Sequence, residues 1–227
     1  SIAAYYLKEE KIPYDEYLRY ISEPKREVAS IHKFILSDMG HYTKTRYDVI
    51  SLPVKRILKI HPDFKDLLLL VSMIGSQNIT KELLSGYKDS VIVSKFIHEL
   101  RKCSLITEKP LNQLEPAFSI HRSTQTITLE YLIKLLKLEQ GAKQIRSIAS
   151  VLVDFMNKRL KKHTDNTPIL VSHVEAFLGH DSLIDKLTAS NLKARLGIYY
   201  FYIGNYVKAR KLLEEACSVY KDYYGLD

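Results

Sequence analysis

The chain has 227 residues, of which 46% are apolar and 26% charged, and its net charge is +8. That is enough length for one large domain or two to three small ones with a real core, and the balance excludes a disordered or collagen-like chain. The few glycines and prolines, set among Leu-, Ile-, Lys- and Glu-rich segments, favour helix over a sandwich or barrel.

The first segment, residues 1–51, reads as the remnant of a helical subdomain. Ser1–Lys8 is a helix end, and Pro13 opens a second helix, Tyr14–Ile21, with Tyr14, Tyr17, Leu18 and Ile21 at helical spacing. Ser22-Glu23-Pro24 breaks it. Arg26–Asp38 is a third helix, followed by Gly40 as a stop.

The second segment, residues 52–132, changes period twice. Asp63–Ile74 is a strongly apolar helix halted by Gly75-Ser76-Gln77-Asn78. Thr80 is placed to cap a short helix that Gly86 ends, and Asp89 and Ser90 to cap a longer one, Val91–Lys102. Ser104–Thr107 is a short β-type run, Pro110 to Pro116 a loop, and Ala117–His121 an alternating strand. Helix, short helix, longer helix and two-stranded hairpin is the order of a winged helix-turn-helix. A further helix follows through Leu129 and Leu132.

The remainder is helical by pattern. Residues 133–188 form a helical linker, in which Ile145, Ile148, Ala149, Leu152, Phe155, Met156 and Leu160 make one stripe. Lys161-Lys162-His163 places cations at that helix's negative end. Thr164–Pro168 connects it to Ile169–Leu178, which Gly179 stops. Residues 189–227 read as a helical hairpin, Ala189–Ile203 and Val207–Tyr220. Leu196, Gly197, Tyr200, Gly204, Tyr206, Ala209, Leu213 and Ala216 match the spacing of one tetratricopeptide repeat. One repeat cannot bury its own face, so more are expected after Asp227. Ser1–Leu7 reads as mid-helix and Tyr223–Asp227 stops inside a pattern, so the sequence is expected to be a piece of a longer protein.

The two cysteines, Cys103 and Cys217, lie far apart, and no Cys/His cluster has zinc spacing. A reducing, cytoplasmic setting is expected. The longest apolar run, Leu67–Val71, falls far short of the roughly 20 residues of a membrane span. The positive charge fits a Lys-rich solvated surface, since no concentrated Arg/Lys stripe is visible. No Gly-x-x-x-x-Gly-Lys-Ser/Thr loop occurs, and no apolar run ends in paired acids. These residues are therefore expected to be no enzyme by themselves. No catalytic triad, metal set or carboxylate pair stands out; Asp63/Asp66 and Glu214/Glu215 read as solvated helix faces.

Three local patterns then fall in one order. Ala3-Ala4-Tyr5-Tyr6-Leu7-Lys8 with Tyr14-Asp15-Glu16-Tyr17-Leu18 resembles the helices that follow the Gly-Leu-Pro motif of NB-ARC domains, of the STAND class of signalling ATPases. Phe118-Ser119-Ile120-His121-Arg122-Ser123-Thr124-Gln125 resembles the end of the NB-ARC winged helix. Leu170-Val171-Ser172-His173-Val174-Glu175-Ala176 is similar to a helix that precedes the repeats in tetratricopeptide-linked members, and the final hairpin with Tyr224-Gly225 resembles a kinesin-light-chain style of repeat. The stretch Lys25–Asp48 is longer than the family pattern. Arg122 stands where plant members carry Asp and bacterial and fungal relatives often carry Arg.

The resemblance implies a nucleotide-switched signalling protein with ADP or ATP as cofactor in the full-length parent, which would be an ATPase. In that family the His at position 121 reaches the β-phosphate of ADP and locks the closed state, and Arg122 would contact nucleotide or a neighbouring domain. The bland readings are a strand-end His capping local polar groups and a surface Arg. Partners implied are the upstream nucleotide domain, a protein or peptide on the repeats, and further copies on activation. His173 reads as a packed structural residue. Tyr199, Tyr200, Tyr202, Tyr206, Tyr220, Tyr223 and Tyr224 are either a ligand platform or packing between hairpins.

Two other functions fit the pattern. One is a winged-helix transcription regulator with a repeat sensor, in which Lys95, His98, Arg101 and Lys102 of Val91–Lys102 would approach DNA. Glu99 among them, and the lack of a base-reading Asn, Gln or Arg at the helix start, speak against it. The other is a plain repeat scaffold with the winged unit as spacer.

Overall fold

The computed structural model describes residues 41–109, 117–162 and 167–225, together with Pro13 and Asp15. The helices expected within residues 1–40, the loop from Pro110 to Pro116 and most of the linker after Lys162 lie outside them.

The described chain is mainly helical, with a small antiparallel sheet. In order it runs α1 (His41–Ile60), α2 (Phe64–Met73), β1 (Ile79–Thr80), α3 (Lys81–Ser85), α4 (Ser90–Lys102), β2 (Ile106–Lys109), β3 (Ala117–Ile120), α5 (Arg122–Leu136), α6 (Lys143–Lys162), α7 (Thr167–Leu178), α8 (Lys186–Tyr202) and α9 (Tyr206–Tyr224). No helix among the described residues is long and apolar enough to cross a membrane.

The centre is α2. Leu67, Leu68, Leu69, Leu70, Val71 and Met73 are all buried, as expected of a helix apolar nearly all round. It packs against α1, α4 and α5. Phe64 at its start meets Phe96 of α4 edge to face, with centroids 5.3 Å apart. One core cluster continues from Ile50 through α2, α5 and α6 to Ala209 of α9. The divisions expected after residues 51, 132 and 188 each fall inside a helix, α1, α5 and α8.

The caps follow the residues that were expected to make them. Thr80 Oγ1 accepts from Leu83 N–H at 3.2 Å, and Asp89 Oδ1 from Val91 N–H at 2.8 Å. Asp185 starts α8 at Lys186, ahead of the expected Ala189, by accepting from Thr188 N–H at 2.9 Å. Helix α7 begins at Thr167 because Pro168 is tolerated in a first turn, where its missing N–H has no partner to lose. Helix α9 runs on to Tyr224 and closes at Gly225 with φ +65°.

The sheet differs from the expected two-stranded hairpin. It has three strands in the order β1-β3-β2. Ile79 pairs with Phe118, and Thr80 with Ala117. On the other side of β3, Ile106 pairs with Ile120 and Thr107 with Ser119. Central β3 is buried at every position, so its outer-face residue is buried too: Ser119 donates its hydroxyl to Gln77 Oε1 at 3.1 Å. The strand ends at Ile120, and His121 belongs to the helix that follows.

In the terminal hairpin, α8 and α9 approach closely at Gly197. A Cβ there would lie 2.7 Å from Leu213 Cγ and 3.3 Å from the Ala209 carbonyl. Ala209 and Ala216 are buried against α8.

Candidate functional site

His121 sits between the buried strand β3 and α5, as the cap of that helix. Its Nδ1 accepts from Ser123 N–H at 3.2 Å, and the Ser123 hydroxyl lies 2.7 Å from the same nitrogen. An accepting Nδ1 places the proton of the neutral ring on Nε2. The side chain is exposed. Arg122, the first residue of α5, is exposed beside it. Among the described residues it has no carboxylate partner. No acidic residue occupies the first turn of α5, so the positive end of a long helix, an imidazole N–H and a guanidinium share one surface. Both expected site residues lie exposed at the start of α5.

The neighbouring residues of that stretch hold it in place. Phe118 and Ile120 are in the core. Ile120 N–H donates to the Ser76 carbonyl at 2.9 Å. Buried Gln125 donates from Nε2 to the carbonyls of Val71 and Ile74, at 2.8 and 2.9 Å, which are among the carbonyls left over at the end of α2. Nothing local to Gln125 in the sequence names the carbonyls it meets, which lie 54 and 51 positions away. Its signal was a polar residue in step with Leu129 and Leu132 on the inner side of α5.

The other side of the 74–78 connection is held by α7. His173 is buried and lies 3.3 Å through Nε2 from the Asn78 carbonyl, to which it donates. Burial lowers its pKa, against an opposing pull from the carbonyls of Asn78 and Gly75. A Cβ on Gly75 would lie 2.9 Å from His173 Nδ1. His180 is likewise lowered by burial, with the Met73 carbonyl and Asp181 opposing. His173 is therefore a packed residue that joins the helical linker to the loop behind His121.

Two acidic pairs read as solvated faces make specific contacts. Lys88 donates to Asp63 at 2.6 Å and to Asp66 at 2.7 Å, clamping the start of α2 to the end of the α3 turn. Lys193 of α8 pairs with Glu215 of α9 at 2.7 Å. Elsewhere, Glu175 of α7 accepts from Tyr200 Oη and from Lys208 Nζ, each at 2.7 Å. The Lys208 ammonium also stands 4.1 Å from the Tyr200 ring centroid. That set links α7, α8 and α9.

On α4, Lys95 and His98 are exposed, but Arg101 is engaged by Glu108 of β2. Among the described residues no three His, Cys, Asp or Glu side chains gather as a metal site. Compared with protein-family models, with curated proteins and with solved structures, the chain matches none.

Proposed function

We propose that the chain is the regulatory and protein-interaction part of a cytoplasmic, nucleotide-switched signalling protein of the NB-ARC/STAND class. The unit from α2 to β3 is read as a winged helix that contacts ADP, and the α8–α9 hairpin as the first tetratricopeptide repeat of a partner-sensing array. The order α2–β1–α3–α4–β2–β3, with the first strand paired to the last, supports the winged-helix reading. The contact of Gly197 with Leu213, between helices lined by small residues, supports the repeat reading.

The observation that carries the proposal is the grouping of His121 and Arg122 at the open start of α5. The donors suit a diphosphate: His121 Nε2–H donates to a phosphate oxygen without needing full charge, and Arg122 and the helix end add positive potential. The phosphate loop and magnesium ligands would belong to a nucleotide domain upstream, so these residues hold the nucleotide state and do not cleave ATP. A partner bound at the repeats opens the switch only in so far as it binds the open state better than the closed one. The test is calorimetry of ADP with a chain extended upstream through that domain. His121→Ala should weaken ADP at least tenfold, about 1.4 kcal/mol. No ADP binding by the extended wild type would overturn the reading.

The engagement of Arg101 by Glu108 lowers the free positive charge on α4 and disfavours the DNA-binding alternative.

A further inference from the structure

The connection between α2 and β1, residues 74–78, is tied from two directions. From β3 and α5, the Ile120 N–H donates to the Ser76 carbonyl at 2.9 Å, the Ser119 hydroxyl to Gln77 Oε1 at 3.1 Å, and the Gln125 amide to the Ile74 carbonyl at 2.9 Å. From α7, buried His173 donates through Nε2 to the Asn78 carbonyl at 3.3 Å, and its ring stands against Gly75.

Asn78 is the strained point of this connection. Its φ is +56°, in the left-handed region that a residue with a side chain keeps only where its surroundings hold it, although Asn tolerates it better than most. Asn78 directly precedes β1, whose Ile79 and Thr80 pair with Phe118 and Ala117 of β3. The backbone at Asn78 therefore aims an edge strand of the sheet.

Helix α7 is also tied on its other side. Glu175 follows His173 by two residues, about 200° around the helix, so the two side chains leave α7 in opposite directions. Glu175 Oε1 accepts from Tyr200 Oη of α8 and from Lys208 Nζ of α9, each at 2.7 Å. Lys208 Nζ is also 2.7 Å from Tyr200 Oη. One carboxylate thus meets both helices of the terminal hairpin. An exposed Lys–Glu pair alone stabilises little, but Tyr200 is buried and completes the same triangle. Val174 and Phe177 of α7 are fully buried, so α7 turns only by repacking the core around it. A shift of the hairpin reaches His173 as a movement of the whole helix.

We propose that α7 is a coupling bar: with the hairpin seated on Glu175, His173 holds Asn78 in its left-handed conformation and β1 stays paired with β3, and with the hairpin displaced, β1 loosens. The element with two arrangements is the backbone at Asn78, and the seat at Glu175 biases it. Because β3 leads into His121, the loosening reaches the candidate site. That last consequence rests on the nucleotide reading; the coupling itself does not.

The experiment is NMR hydrogen exchange of the chain, read at two amides. Ile120 N–H, bonded to the Ser76 carbonyl, reports the connection beside β3. Leu67 N–H, bonded to the Asp63 carbonyl at 3.1 Å, reports the far end of α2. Glu175→Lys, which sets two ammonium groups together, should speed exchange at Ile120 at least threefold and leave Leu67 unchanged. Lys208→Glu should do the same, and the swap of Glu175→Lys with Lys208→Glu should restore protection. His173→Leu should speed Ile120 by itself, and adding Glu175→Lys should then bring no further change, since the route is already cut. The proposal is overturned if Glu175→Lys leaves Ile120 unchanged, if Ile120 and Leu67 speed up together, if the swap stays as fast as the single variants, or if Glu175→Lys and His173→Leu act additively. ADP titration of the upstream-extended chain keeps the two readings apart. An extended wild type that binds no ADP overturns the nucleotide reading and leaves the exchange result standing. Normal ADP binding beside an unresponsive Ile120 overturns the coupling alone.

Discussion

Gln125 of α5 reaches across the core to Ile74 and donates to its carbonyl at 2.9 Å, while the second hydrogen of the same amide meets the Val71 carbonyl. Both oxygens lie where α2 has run out of backbone partners. Gln125→Leu keeps the volume and removes both donors, leaving two buried carbonyls unsatisfied. Each such group costs about 1–3 kcal/mol. Gln125→Glu should be worse, because it sets a negative charge against the negative end of α2. Urea denaturation should show a lower midpoint for both variants at an unchanged m-value, with Glu the lower.

Gly75 and His173 form a second lock on the same loop. A methyl group on the glycine would stand 2.9 Å from His173 Nδ1, nearer than packed atoms tolerate, and the buried ring has little room to yield. Gly75→Ala should destabilise by about 1–3 kcal/mol, the usual penalty for overpacking. In a His173→Ala background the same change should cost much less. A double-mutant cycle measures the difference, and simple additivity would rule out the contact as the cause.

Stability should also depend on pH through this lock. Burial holds the folded pKa of His173 below its ordinary 6.5, and His180 shifts the same way. The unfolded chain therefore takes up protons near pH 6.5 while the folded chain resists them. The stability from this source is fully present above that pH and is lost as the pH falls through the folded pKa. The groups facing His173 are the carbonyls of Asn78 and Gly75; those facing His180 are the Met73 carbonyl and Asp181. The carboxylates held low, Asp63, Glu175, Asp185 and Glu215, act only in a lower window, around pH 4. Urea midpoints should thus fall between pH 7.5 and 5.5, and His173→Gln should flatten that slope.

The helices were legible because their signals are local. Thr80, Asp89 and Gly86 mark ends within a turn of where they act, and the stripe from Ile145 to Met156 repeats at helical spacing. The third strand was not legible. Ile79–Thr80 is too short to show alternation, and it is a strand only because Phe118 and Ala117 lie beside it. The boundaries drawn after residues 51, 132 and 188 fall inside helices because apolar periodicity locates a helix but not its ends, and one core cluster runs from α1 to α9. At the candidate site, the grouping of His121 with Arg122 was visible as adjacent residues. The ties through Gln125 and His173 join positions distant in sequence.

The α8–α9 contact gives the last prediction. Leu213 packs on the bare backbone at Gly197, with Cγ 2.7 Å and Cδ2 3.0 Å from where a Cβ would stand. Gly197 lies mid-helix, where Ala would ordinarily be preferred by roughly 0.8–1.0 kcal/mol. Gly197→Ala should nevertheless destabilise, by about 1–3 kcal/mol from overpacking, because the preference cannot offset a steric overlap with a branched carbon between two close helices. Leu213→Ala makes room for the new methyl group, so Gly197→Ala should become neutral or stabilising in that background. A change of sign between the two backgrounds, read from thermal melts, would establish that glycine stands at this position for the approach of α9. Stabilisation by Gly197→Ala in the wild-type background would show instead that the helices have slack there, and that the hairpin is held by Ala209, Ala216 and the Lys193–Glu215 pair.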